Sequence, residues 1–99
     1  VTTFHKKRFE EEIKKEVSRI VIQELSDPRI GIITISRVSL SKDLHSAKIF
    51  ITVLDSEKSE SSLLVLNKAK KRIRWFLSKR IQVRRVPELT FFAEESVLL

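Results

Sequence analysis

The chain has 99 residues, 41% apolar and 33% charged, a composition that fits one globular domain over residues 1–99 and leaves no room for two cores. Cysteine is absent, which removes a disulfide framework and any thiolate metal site. The net charge of +7 favours a polyanionic partner, and no apolar run approaches the roughly 18–20 residues that a membrane span needs.

Residues 6–25 have helical periodicity: Phe9, Ile13, Val17, Ile20, Val21 and Leu25 recur at three- and four-residue spacing. Glu10, Glu11 and Glu12 read as an exposed acidic helix start, favoured by the dipole. The stretch DPRIG breaks the helix, because Pro28 disfavours a helical Asp27 and Gly31 is the sole glycine. Residues 31–41 (GIITISRVSLS) are rich in β-branched side chains and predict a strand. Ile33 and Ile35 alternate out of phase with Val38 and Leu40, so a bulge is expected near Ser36–Arg37. After a turn at 41–46, residues 47–54 predict a second strand, antiparallel to the first, with Ala47, Ile49, Ile51 and Val53 inward and Phe50 outward.

Asp55, Ser56 and Ser59 are candidate N-caps for a second helix over about 60–81, whose apolar stripe is Leu63, Leu66, Ala69, Ile73, Phe76 and Leu77. Pro87 bars further helix, and residues 88–95 predict a third strand with Leu89, Phe91 and Ala93 inward. The predicted order is α-β-β-α-β. A crossover helix returns the third strand parallel to the second, so an α+β fold with both helices on one face of a three-stranded sheet is expected.

The run LNKAKKRIRWFLSKRIQVRR (66–85) holds nine of the twenty basic residues and no acid; the other 11 face 13 acids, so the positive excess is local. On a helical wheel Lys68, Lys71, Arg72, Trp75 and Lys79 fall together, opposite Ile73. A face exposed only to water usually mixes signs, since like charges four residues apart repel. A cationic stripe around an aromatic suits phosphates and a stacked base. The alternatives are a solvated face, and a Trp75 that plugs a side pocket. Arg80, Arg84 and Arg85 extend the patch, with Lys79 and Arg80 also placed to serve the helix C-terminus. Arg37, Lys42 and His45 near the hairpin are a second tier.

Other chemistry is poorly supported. One glycine excludes a GxxG backbone clamp, a phosphate loop and a flanked serine elbow. His5 and His45 stand apart from any ligand cluster, so no metal site, cofactor or catalytic residue is expected. Phe50, Thr90 and Phe92 are expected on the open sheet face, as a partner interface or a seat for the termini. A chain with no signal-peptide pattern is expected to be cytoplasmic, and its wealth of Lys and Glu with no Met or Cys resembles a thermophile's composition.

The segments DPRIGIITISRVSLSKDLHSAKIFITVL and RVPELTFFAEES, with KRFEEEIKKEVSRIVIQEL before them, resemble the ribosome-binding factor A family over nearly the whole chain. The resemblance implies a type II KH-like fold, α-β-β-α-α-β, whose second helix is kinked. It also implies binding to small-subunit ribosomal RNA and the immature small subunit, assisting late maturation and rRNA processing, with a link to cold adaptation and without catalysis or cofactor. The family's kink carries Ala-x-Gly; here Ala69 matches, but Lys71 stands at the glycine position, so either a strained kink or a straighter helix is expected. The joint reading is a monomeric RNA-binding domain whose contacts are Lys68, Lys71, Arg72, Trp75, Lys79, Arg80, Arg84 and Arg85. The rival is a protein-interaction module whose basic helix meets an acidic partner; generic DNA binding is less favoured, since no helix-turn-helix is apparent.

Overall fold

The computed structural model describes residues 3–94. Helix α1 (Thr3–Glu24) begins three residues earlier than its periodicity predicts and buries Ile13, Val17, Ile20 and Val21, with Phe9 and Leu25 partly covered. The early start puts Glu10–Glu12 beyond the first turn, which holds no acid, so the dipole reading of these residues is corrected. Glu10 is half-buried, and its Oε2 accepts the backbone N–H of Leu40 at 2.8 Å.

Strands β1 (Ile33–Leu40) and β2 (Ser46–Val53) pair antiparallel, and the register shifts between Ile35 and Arg37, where the broken alternation predicts it. Strand β3 (Glu88–Ala93) lies parallel to β2, giving the order β1-β2-β3. Ile35, Val38, Leu40, Ala47, Ile49, Ile51, Leu89 and Phe91 form the sheet's half of the core. Ala93 is exposed rather than inward, and Glu95, the last predicted strand residue, lies outside the described residues.

The predicted single helix is two. A 3-10 turn (Ser56–Lys58) leads into α2 (Ser59–Lys68), and α3 (Lys70–Ser78) follows after a break at Ala69. Of the three candidate caps only Asp55 caps, and it caps the 3-10 turn, accepting from the Glu57 amide at 3.1 Å. Ala69 has φ −91° and ψ 4°, a conformation open to any residue, whereas Lys71 lies within α3. The strained kink expected at Lys71 is therefore corrected: the break falls two residues earlier, on Ala69, it demands no glycine, and the chain is helical through Lys70 and Lys71. The sole non-glycine residue with positive φ among those described is Leu44, at 64° in the hairpin turn.

Helix α1 packs over β1, α2 and α3 over β3, and α3 against α1, so all three helices cover one face. Leu66, Ile73 and Leu77 are fully buried between them; each such side chain stabilises the fold by roughly 1.5–3 kcal/mol. Asn67, the only asparagine in the chain, docks on β3: its Oδ1 accepts from Phe91 N–H at 2.9 Å and its Nδ2 donates to Phe91 O at 3.0 Å. Asn67 and Glu10 thus occupy backbone groups that would otherwise template strand addition.

DPRIG proves to be a built loop. Asp27 accepts from the Arg29 amide at 2.9 Å and is forked by its guanidinium at 3.0 and 2.7 Å. The Gly31 amide donates to the fully buried Ser62 hydroxyl at 2.9 Å. A Cβ on Gly31 would stand 3.1 Å from Lys58 Cβ and 3.2 Å from Val53 Cγ1. Close approach, rather than a special dihedral, is what calls for glycine here.

Candidate nucleic-acid interface

Helix α3 is amphipathic by sequence: Ile73 and Leu77 go to the core, which turns Lys71, Arg72, Trp75 and then Lys79 outward. The chain leaves α3 at Ser78 and returns to β3 through residues 79–87. Arg74 fastens this return, donating Nε at 3.0 Å and Nη2 at 2.7 Å to the carbonyl of Val86. The latch brings Arg84 and Arg85 beside α3, and Lys71, Arg74, Trp75, Ser78, Val83, Arg84, Arg85 and Val86 together line a shallow groove of about 480 Å³.

The predicted contact residues divide by what they touch. Lys71, Arg84 and Arg85 are exposed and, among the described residues, have no carboxylate partner. Lys68 is also exposed, but it closes α2 and does not line the groove. Trp75 is 56% exposed. Its ring is held edge-on by Phe76, centroids 5.1 Å apart at 77°, and Lys79 Nζ lies 5.2 Å from its centroid.

Two predicted contacts turn toward α1 instead. Arg80 is only partly exposed and meets Glu16 at 3.6 Å, Glu24 at 3.5 Å and Gln23 Oε1 at 3.0 Å. Its charge is compensated within the fold. Arg72 donates to the Glu24 carbonyl at 3.2 Å, near the C-terminal end of α1, where the helix dipole favours a cation. Its guanidinium also lies 5.6 Å from the Phe76 centroid.

The second-tier residues do not join the groove. Arg37 lies on the open sheet face, 3.8 Å over the Phe50 ring and 3.1 Å from Glu94. Phe50 and Phe92 stack there at 5.6 Å, and Thr90 is exposed beside them, as the alternation predicts. Lys42 and His45 sit in the β1–β2 turn, which meets the start of β3 through a bond from Glu88 N–H to His45 O at 2.9 Å. In that turn the Ser41 hydroxyl and the His45 amide hold the Asp43 carboxyl below its usual range.

Sequence reasoning missed Arg74 as the latch and Asn67 as the edge cover. Arg74 reads as one more cation in a basic run, and its partner lies twelve residues on. Asn67 left a faint signal, being the lone asparagine in a chain otherwise almost free of side-chain amides.

The family model for ribosome-binding factor A matches residues 5–98. Ribosome-binding factor A of Thermodesulfovibrio yellowstonii is 40% identical over 85 residues, 86% of this chain and 72% of that protein. The crystal structure of ribosome-binding factor A from Thermus thermophilus superposes with a TM-score of 0.81 at 31% identity, covering 89% of this chain and 93% of that one. A Thermus thermophilus ribosome binding factor A model fitted into the cryo-EM map of a 30S complex superposes at 0.76 and 30% identity, covering the same shares. The α-β-β-α-α-β order with its break at Ala69, the parallel return to β3 and these likenesses agree: the chain has the KH-like α+β fold and belongs to the ribosome-binding factor A family.

Proposed function

We propose that residues 1–99 act as one KH-like RNA-binding domain that docks on ribosomal RNA of the immature small subunit and assists its late maturation and rRNA processing. The action is occupancy rather than catalysis: a monomer in the cytoplasm holds one rRNA conformation and leaves when assembly is complete. The family resemblance also implies a role in cold adaptation. The supporting observation is the acid-free groove, where Lys71, Arg84 and Arg85 surround an exposed Trp75 and no described carboxylate competes for them. Lys68 and Lys79 widen the field. Arg72 contributes charge while its guanidinium stays tied to α1, and Arg80 serves the fold.

Five phosphate contacts give a log–log salt slope of about −3.5 to −4.5. The test is co-sedimentation of the protein with precursor and mature small subunits across a salt series. Binding that prefers the precursor and falls with that slope is expected; equal binding to both, or a flat slope, overturns the reading.

One observation favours a second partner: the stacked Phe50–Phe92 pair leaves Phe92 39% exposed on a sheet face that no described element covers. A protein partner on that face would be indifferent to Lys71→Glu and Arg84→Glu, which are expected to abolish RNA binding.

A further inference from the structure

We infer that the groove between α3 and the 79–87 return takes one unpaired nucleotide, its base stacked on Trp75 and its flanking phosphates held by Lys71, Arg84 and Arg85. The inference rests on the RNA-binding reading above and names the form of RNA the site requires.

Trp75 has the geometry of a platform. The T-shaped contact with Phe76 fixes the indole, and Trp75 stays 56% exposed. A tryptophan kept only for packing would bury that surface. Lys79 Nζ lies over the ring, 5.2 Å from its centroid, so one cation already stands at the indole and an incoming base stacks beside it or displaces it. The cations come from two directions: Lys71 lies one turn before Trp75 on α3, and Arg84 and Arg85 arrive on the return that Arg74 latches to Val86 O. This gathers cations from two chain segments in the groove that Trp75 lines, as a backbone flanking a stacked base requires.

A duplex does not suit this arrangement. In A-form RNA the bases are stacked on one another, so no base face is available to an indole, and recognition reduces to shape and phosphates. An unpaired base offers its π-face whatever its identity, so the groove selects single-stranded or bulged RNA with little sequence preference.

The chain supplies its own probe: Trp75 is the only tryptophan and there is no tyrosine, so emission excited at the indole band reports this ring alone. A short single-stranded oligoribonucleotide, its abasic counterpart and a duplex of equal charge are titrated at low salt, following both Trp75 emission and anisotropy of the labelled RNA. All three are expected to bind through charge. Only the base-bearing single strand is expected to quench Trp75, and Trp75→Ala is expected to weaken that strand alone by about tenfold or more, with Trp75→Phe retaining most of the affinity. Equal quenching by the abasic strand or the duplex, or an unchanged affinity in Trp75→Ala, overturns the stacking inference and leaves the electrostatic reading standing. Failure of every RNA to bind overturns both.

Discussion

The two flanks of α3 carry the same kind of residue and do opposite things. Toward α1, Arg80 and Arg72 meet Glu16, Glu24 and the end of a helix, and their charges are taken up by the fold. Toward the 79–87 return, Arg84, Arg85 and Lys71 meet no described carboxylate, and their charges face solvent beside an exposed indole. The lesson is that a basic run is not a binding site as a unit. Each cation is assigned by whether an acceptor from elsewhere in the chain reaches it, and only the remainder is available to a polyanion. Arg74 stands between the two classes: it is spent on a backbone carbonyl, yet that bond holds the free cations in place.

Arg74 is therefore the sharpest place to break the comparison. Arg74→Ala removes two charged hydrogen bonds and is expected to lower unfolding stability by about 1.5–3 kcal/mol, read from urea denaturation. It is also expected to weaken RNA binding, because Arg84 and Arg85 lose their mooring. Unchanged RNA affinity in a folded variant would show that the return loop needs no latch.

The Arg84→Ala/Arg85→Ala pair should separate the flanks. Stability is expected to stay within about 0.5 kcal/mol of the parent, as for other surface changes, while the magnitude of the salt slope on RNA falls by about 1.5. Arg80→Ala should show the mirror image, costing up to about 1 kcal/mol of stability for its partly exposed carboxylate pairs and leaving the salt slope in place. A slope that drops with Arg80→Ala would merge the two flanks into one site.

Lys71→Gly tests the helix and the groove together. The substitution puts glycine inside α3 and is expected to cost somewhat under 1 kcal/mol, while reducing the slope by about 0.8 through the lost charge. Unchanged RNA affinity and slope would remove Lys71 from the contact surface.

The smallest effect concerns a cation spent within its own loop. The Arg29 guanidinium, hydrogen-bonded to Asp27, lowers that carboxyl from 3.8 to about 2. Because the folded value is depressed, the stabilisation is complete above the unfolded value near 4 and is lost as pH falls through about 2. An NMR titration of Asp27 is expected to show a midpoint near 2, moving up toward 3.8 in Arg29→Ala. A midpoint near 3.8 in the parent would mean the fork does not persist in solution.

Much of the fold was legible because it rests on local rules. The spacing of Ile13, Val17 and Ile20 marks the buried side of α1, and the phase slip between Ile35 and Val38 places the bulge between Ile35 and Arg37. The break at Ala69 was not legible from periodicity, since Leu66, Ile73 and Leu77 keep helical spacing across it; it came from family resemblance alone. The resemblance in turn misplaced the demand for glycine, because the unwinding falls on Ala69 and Lys71 is already helical.

By itself the sequence determined where helix and strand form, though not the break at Ala69, how the strands pair, which faces are apolar and where the acid-free run lies, because these depend on spacing along a short stretch of chain. Which cations remain free was decided only by the tertiary structure. The Glu24 carbonyl reaches Arg72 across 48 positions and the Glu24 carboxylate reaches Arg80 across 56, while the return from α3 carries Arg84 and Arg85 back beside Trp75. Hydrogen bonds and charges act through space, so a cation's partner is set by where the chain folds back.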